Sequence, residues 1–174
     1  MKLIILALST FLISAVTFLY RNLTHSPAIF LIPENFHGDL YVVYDQDHGT
    51  GQEFDGMSRL YRIPKTGILF TKFKPEPSTT DQEYFYVNAG GDRKKLKEQT
   101  SGDFNGSWTE KNNPKWISRN CNMIFDGGVI WSTISANSTY DYQHAFVGTY
   151  DQFTTNKGLK LSYLDSLQKN LAKR

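Results

Sequence analysis

The sequence predicts a mainly β fold, an antiparallel β-sandwich or open barrel of about seven strands closed by one C-terminal α-helix. Three observations carry that expectation. From Ile29 onward, short apolar runs rich in Val, Ile, Tyr and Phe recur between Pro and Gly turn signals. The runs follow one another without an intervening helical period, which disfavours a doubly wound fold. At the C-terminus, Leu161, Leu164, Leu167 and Leu171 share one helical face, predicting a helix from Leu159 to Leu171.

Ahead of the strands lies an uncharged apolar run of 18 residues, Leu3 to Tyr20. As a helix at 1.5 Å per residue it approaches the ~30 Å hydrocarbon core and exceeds the ~7–15 residue core of a signal peptide. Lys2 and Arg21 bracket it, and its end, Thr17-Phe18-Leu19-Tyr20, lacks a small-x-small cleavage pattern. Residues 1–21 therefore read as a single-pass membrane anchor, 22–28 as a linker and 29–174 as one β-rich domain. The alternative is a cleaved signal peptide and a secreted or periplasmic domain. A short N-terminal tail normally stays inside, which puts the domain outside the cytoplasm.

Totals narrow the chemistry. Of 19 basic residues, Lys2 and Arg21 belong to the leader, leaving 17 against 17 acidic ones. A balanced domain projects no field toward nucleic acid, and no nucleic-acid partner is expected. The local cluster Arg93, Lys94, Lys95 and Lys97 reads as a solvated loop that could meet an anion. One cysteine, Cys121, excludes an intrachain disulfide and a Cys-based zinc site.

The strands follow in order. Ile29 to Pro33 is the first, since Pro33 drives Ile32 out of helical space. Glu34 to Gly38 bends the chain into Leu40–Tyr44, apolar at every position and so expected to be a central strand covered on both faces. These two form a hairpin-like unit. Asp45 to Met57 reads as a long polar loop, and Arg59–Ile63 and Ile68–Phe73 as a hairpin across Pro64–Gly67. Glu83–Asn88, Val129–Ile134 and His144–Thr149 are the remaining runs, the last two separated by a polar turn from Ser135 to Tyr142. Residues 93–122 have no sustained period.

Candidate sites are few. His37 and Asp39 flank Gly38, a pair able to handle protons or a metal, though two turn residues alone do not make a site. Asp45, Asp47 and Glu53 place three carboxylates in nine residues. Calcium-loop spacing fails, because Gly49, Thr50 and Gly56 occupy the ligand, glycine and glutamate positions. Gly90-Gly91 reads as a turn rather than a phosphate loop. Trp108, Trp116 and Trp131 could line a groove, but aromatics in a small β domain belong more often to the core. No catalytic constellation and no cofactor motif is visible.

Several stretches resemble a bacterial family of domains of unknown function. They are Ile32-Pro33-Glu34-Asn35-Phe36-His37-Gly38, with Asn35 where that family has Gly, then Val42-Val43-Tyr44 and Tyr61-Arg62-Ile63-Pro64 with Gly67-Ile68-Leu69. Tyr84-Phe85-Tyr86-Val87 and Phe146-Val147-Gly148-Thr149-Tyr150-Asp151-Gln152-Phe153 complete the set. The resemblance implies an envelope-associated β domain and no assigned activity. Function is thus expected to be binding, to a protein or an envelope component, with the membrane held through residues 3–20. The alternative is a metal-assisted hydrolase built on His37, Asp39, Asp45 and Asp47.

Overall fold

The computed structural model describes residues 27–76, 81–99, 120–125, 127, 130–134 and 139–156. The expected leader helix, the expected helix 159–171, and Trp108 and Trp116 lie outside them. Among the described residues no helix is long and apolar enough to cross a membrane.

Runs rich in aliphatic and aromatic residues form the longer strands, and short segments such as Glu53–Asp55, Arg93–Lys95 and Glu98–Gln99 pair along their edges, in two sheets. Ala28–Pro33 (β1), Glu53–Asp55 (β3), Ser58–Arg62 (β4), Gln82–Val87 (β6) and Arg93–Lys95 (β7) form sheet A, in the order β3-β4-β1-β6-β7. Gly38–Val43 (β2), Ile68–Phe70 (β5), Glu98–Gln99 (β8), Met123–Phe125 (β9) and Thr139–Gly148 (β11) form sheet B, in the order β5-β2-β11-β9-β8. Ile130–Ile134 (β10) pairs with β11. A six-residue helix, Tyr150–Thr155 (α1), follows β11.

The mainly β class is as expected, but the pairing is mixed, not antiparallel. β1 runs parallel to both β4 and β6, and β2 runs parallel to β5. Neither expected hairpin forms. Because β4 and β6 occupy both edges of β1, the Pro33–Gly38 bend cannot fold β2 back beside it and delivers β2 to the other sheet. Asn35 (φ 65°) and Gly38 (φ 124°) supply the left-handed turns of this arch. Pro64–Gly67 makes a second arch from β4 to β5. The arches stack, with Tyr41 N–H donating to the Gly67 carbonyl at 2.8 Å. A Cβ on Gly67 (φ 78°) would lie 2.4 Å from the Asp39 carbonyl oxygen, so the stacking admits only glycine there.

Other expected loops are more ordered than their composition suggests. Residues 46–50 run along the outer edge of β5, with Gln46 N–H on the Thr71 carbonyl and Thr50 N–H on the Phe70 carbonyl. They satisfy the edge groups of β5, and β3 forms within the stretch read as loop. Arg93–Lys95 is a strand, not a loop. Its Arg93 Nη1 meets Asp55 Oδ2 at 2.7 Å, although β7 and β3 are opposite edges of sheet A. A flat sheet would hold those edges roughly 19 Å apart, so sheet A is strongly coiled. β11 begins at Thr139, within the segment expected to be a turn.

The core lies between the sheets. Phe30, Ile32, Tyr61, Tyr84 and Tyr86 from sheet A meet Leu40, Val42, Tyr44, Leu69, Ile124, Ala145 and Val147 from sheet B. Phe30 stacks between its register partners Tyr61 and Tyr84 at 4.8 and 4.7 Å. β2 is covered on both faces, as expected, since Tyr41 and Val43 are buried on its outer side with Ile68, Phe70 and Tyr140.

Three polar side chains are buried among the described residues, Thr71, Gln99 and Gln143, and the last links the two sheets. Gln143 is 0% exposed, and its Oε1 accepts from Tyr44 Oη at 2.9 Å. Its Nε2 donates to Gln82 Oε1 at 2.8 Å and to Tyr84 Oη at 3.0 Å. Burial, then the neighbouring Tyr61, pushes the Tyr44 hydroxyl far above its usual range, so it remains a neutral donor. The network ties β11 and β2 of one sheet to β6 of the other. Gln143→Ala should cost about 2–4 kcal/mol, because it removes three hydrogen bonds of a buried network as well as opening a void. Urea denaturation measures it, and a loss under 1 kcal/mol would show that water or relaxation restores those bonds.

Candidate functional site

The residues nominated from sequence are dispersed. His37 is exposed in the first arch. Asp39 does not pair with it; Asp39 Oδ1 instead accepts from His144 Nε2 and from Asn156 Nδ2, each at 2.8 Å. Asp45 and Asp47 lie past the far end of β2, roughly 20 Å along the strand from Asp39, with side chains exposed. Glu53 binds Arg62 Nε at 2.8 Å. Among the described residues no three His, Cys, Asp or Glu side chains are grouped to hold a metal. The four-residue hydrolase site is therefore not assembled, because β2 holds its two halves at opposite ends.

The Asp39–His144 pair was not legible in the sequence. His144 lies opposite Tyr41 in the ladder, and Asp39 is its diagonal neighbour across β2 and β11. The His144 ring also lies 4.6 Å from that of Tyr41. Asn156, just past α1, completes the clamp. Thr149 and Gln152 form a capping box that starts α1, and Phe153 stacks on Phe125 at 4.5 Å. The cap could have been read from Thr149-x-x-Gln152; a diagonal partner 105 residues away could not. With His144 and Asn156 both on its Oδ1, Asp39 joins β2 to β11 and to the end of α1.

The described surface also holds a cleft of about 400 Å³ where the chain passes from sheet A to sheet B. Leu96 N–H donates to the Tyr84 carbonyl in sheet A, while Ile124 N–H of sheet B donates to the Lys97 carbonyl, so residues 96–97 close this edge of the sandwich. Tyr86, Leu96 and Met123 form the buried lining. Lys94, Lys95, Lys97, Asn120, Cys121 and Asn122 complete it. Lys94 shares the register of inward-facing Tyr86. Lys95 is drawn toward Glu83, whereas Lys94 and Lys97 have no carboxylate partner among the described residues.

A family model described as "Family of unknown function (DUF6843)" matches residues 24–157. The chain belongs to that family. The match runs from before β1 to just beyond α1, so the DUF6843 segment contains both the clamp and the cleft. Comparison with curated proteins gave no match. Among solved structures, a Bacillus anthracis protein described as a candidate lipoprotein shares the fold at a TM-score of 0.55 and 19% identity. That alignment covers 86% of this chain and 96% of the other.

Two outcomes follow from this geometry. Asp39→Ala removes both hydrogen bonds of the clamp, so stability should fall by about 1–2 kcal/mol and amide protection of residues 150–156 should drop first. Hydrogen exchange checks this, and unchanged protection at α1 would mean the stack of Phe153 on Phe125 suffices. The second concerns Tyr86, whose Oη donates to the Phe36 carbonyl at 2.8 Å and whose burial raises its pKa from 10.0 to about 12. The fold favours the neutral phenol, so its contribution is complete below pH 10 and is lost as pH rises to about 12. Denaturation at stepped pH should show stability falling across that window. Tyr86→Phe should flatten the fall; an unchanged slope would assign it to Tyr44 and Tyr61 alone.

Proposed function

We propose that this DUF6843 chain is a membrane-anchored domain of the cell envelope that binds a protein or another envelope component and carries out no reaction on it. The cleft at the sheet A to sheet B crossing carries the reading. It is concave, floored by buried aromatic and aliphatic side chains, and edged by lysines and amides, the composition of a recognition site. The apolar run Leu3–Tyr20 supports the anchor and its length favours a single pass. The fold shared with the Bacillus anthracis protein described as a candidate lipoprotein is consistent with an envelope setting.

The domain then stands outside the cytoplasm, tethered through residues 22–28. Protease treatment of intact and opened cells tests the placement: the domain should be cleaved in both, with an N-terminal fragment left in the membrane. Protection in intact cells would put it in the cytoplasm and end the proposal. Recovery of a shortened soluble chain would replace the anchor with a cleaved signal peptide. Cross-linking in intact cells should recover a partner that is lost when the cleft lysines are changed, and an unaltered pattern would remove the cleft from the reading.

A further inference from the structure

We infer that the cleft is a site for a phosphate-bearing ligand, held by the ammonium groups of Lys94 and Lys97 against the amides of Asn120 and Asn122. The inference rests on the proposed binding role and names the chemistry of what is bound. Outside the cleft, Arg59 is committed to Glu76, Arg62 to Glu53 and Arg93 to Asp55, and within its lining Lys95 is committed to Glu83. Lys94 and Lys97, two residues before and one after buried Leu96, have no such partner among the described residues. Lys94 lies at the register position of Tyr86, on the face turned toward the gap between the sheets.

An edge lysine turned inward also discourages strand addition. That role needs one charge on the edge strand. It does not need a second lysine on the crossing segment, nor two asparagines opposite, around a space of about 400 Å³. Lysine ammonium groups act as point charges on phosphate oxygens, and side-chain amides can donate to the remaining ones. The volume suits a small phosphate ester. The floor of Tyr86, Leu96 and Met123 offers apolar surface to its organic part.

Such an ester could be a soluble glycerol phosphate unit or the headgroup of an anionic lipid, and both present the same oxygens. Full-length protein in detergent micelles should bind sn-glycerol 3-phosphate measurably by calorimetry. The ligand should also slow maleimide labelling of Cys121, which is exposed and lines the cleft. Changing Lys94 and Lys97 together to Ala should weaken binding by tenfold or more, roughly one lost charge-assisted hydrogen bond's worth. The double variant should unfold at the same urea concentration as the parent, since both side chains are exposed. Mixed micelles of detergent with phosphatidylglycerol or with phosphatidylcholine, titrated into the same protein, separate the sources, and heat of binding from phosphatidylglycerol with none from glycerol phosphate assigns the phosphate to lipid.

Three results would overturn the site. One is no binding by either phosphate source; another is equal binding by the double variant. The third is citrate binding more tightly than glycerol phosphate, which would make it a carboxylate site. Any of these, with a cross-linked partner still recovered, defeats the ligand class and leaves the binding role standing.

Discussion

The two sheets are held in register by one buried amide. Gln143 is fully enclosed, and its bonds go to Tyr44 on the adjacent strand and to Gln82 and Tyr84 on the opposite sheet. Apolar contacts between sheets tolerate sliding, because methyl groups pack nearly as well after a small shift. A buried amide does not, since each lost bond costs the desolvation of a polar group. Moving β6 by one residue would turn Gln82 and Tyr84 to the outer face and orphan Gln143. The network thus fixes which residues of each sheet meet, and the Tyr61–Phe30–Tyr84 stack fills the space beside it.

That registration depends on the paired arches. β1 to β2 and β4 to β5 each cross from sheet A to sheet B, and they stack so that β1 lies parallel to β4 and β2 parallel to β5. The seam is at Gly67, where backbone meets backbone and no side chain fits. Tyr86 braces it from β6 through its bond to the Phe36 carbonyl. The arches set one end of the sandwich, and the crossing at residues 96–97 sets the opening where the lysines gather.

His144 and the cleft show two different origins for a candidate site. The Asp39–His144 pair arises from diagonal cross-strand proximity and is spent on holding α1 to sheet B. His37, read from the sequence with Asp39 as a turn pair that alone makes no site, does not pair with Asp39, because residues flanking a turn glycine need not face each other. The lysine cluster was visible as a charge run, but its meaning came from the edge it occupies. A solvated loop would scatter those charges; on β7 and the crossing segment they border a concavity with an aromatic floor.

By itself the sequence determined the strand-rich character of the domain, the buried central position of β2, the balance of charge and the family. Those are properties of local composition and period: apolar runs bounded by Pro and Gly extend whatever surrounds them. It could not determine pairing. A Pro-to-Gly bend has the same composition whether it returns the chain beside itself or carries it to a facing sheet. The choice depends on whether β4 and β6, 25 or more residues away, already occupy the edges of β1. Only the tertiary structure decided that, and with it which histidine met Asp39 and where the lysines came to lie. Edge occupancy and diagonal contact are relations between distant segments, and no window of the sequence contains them.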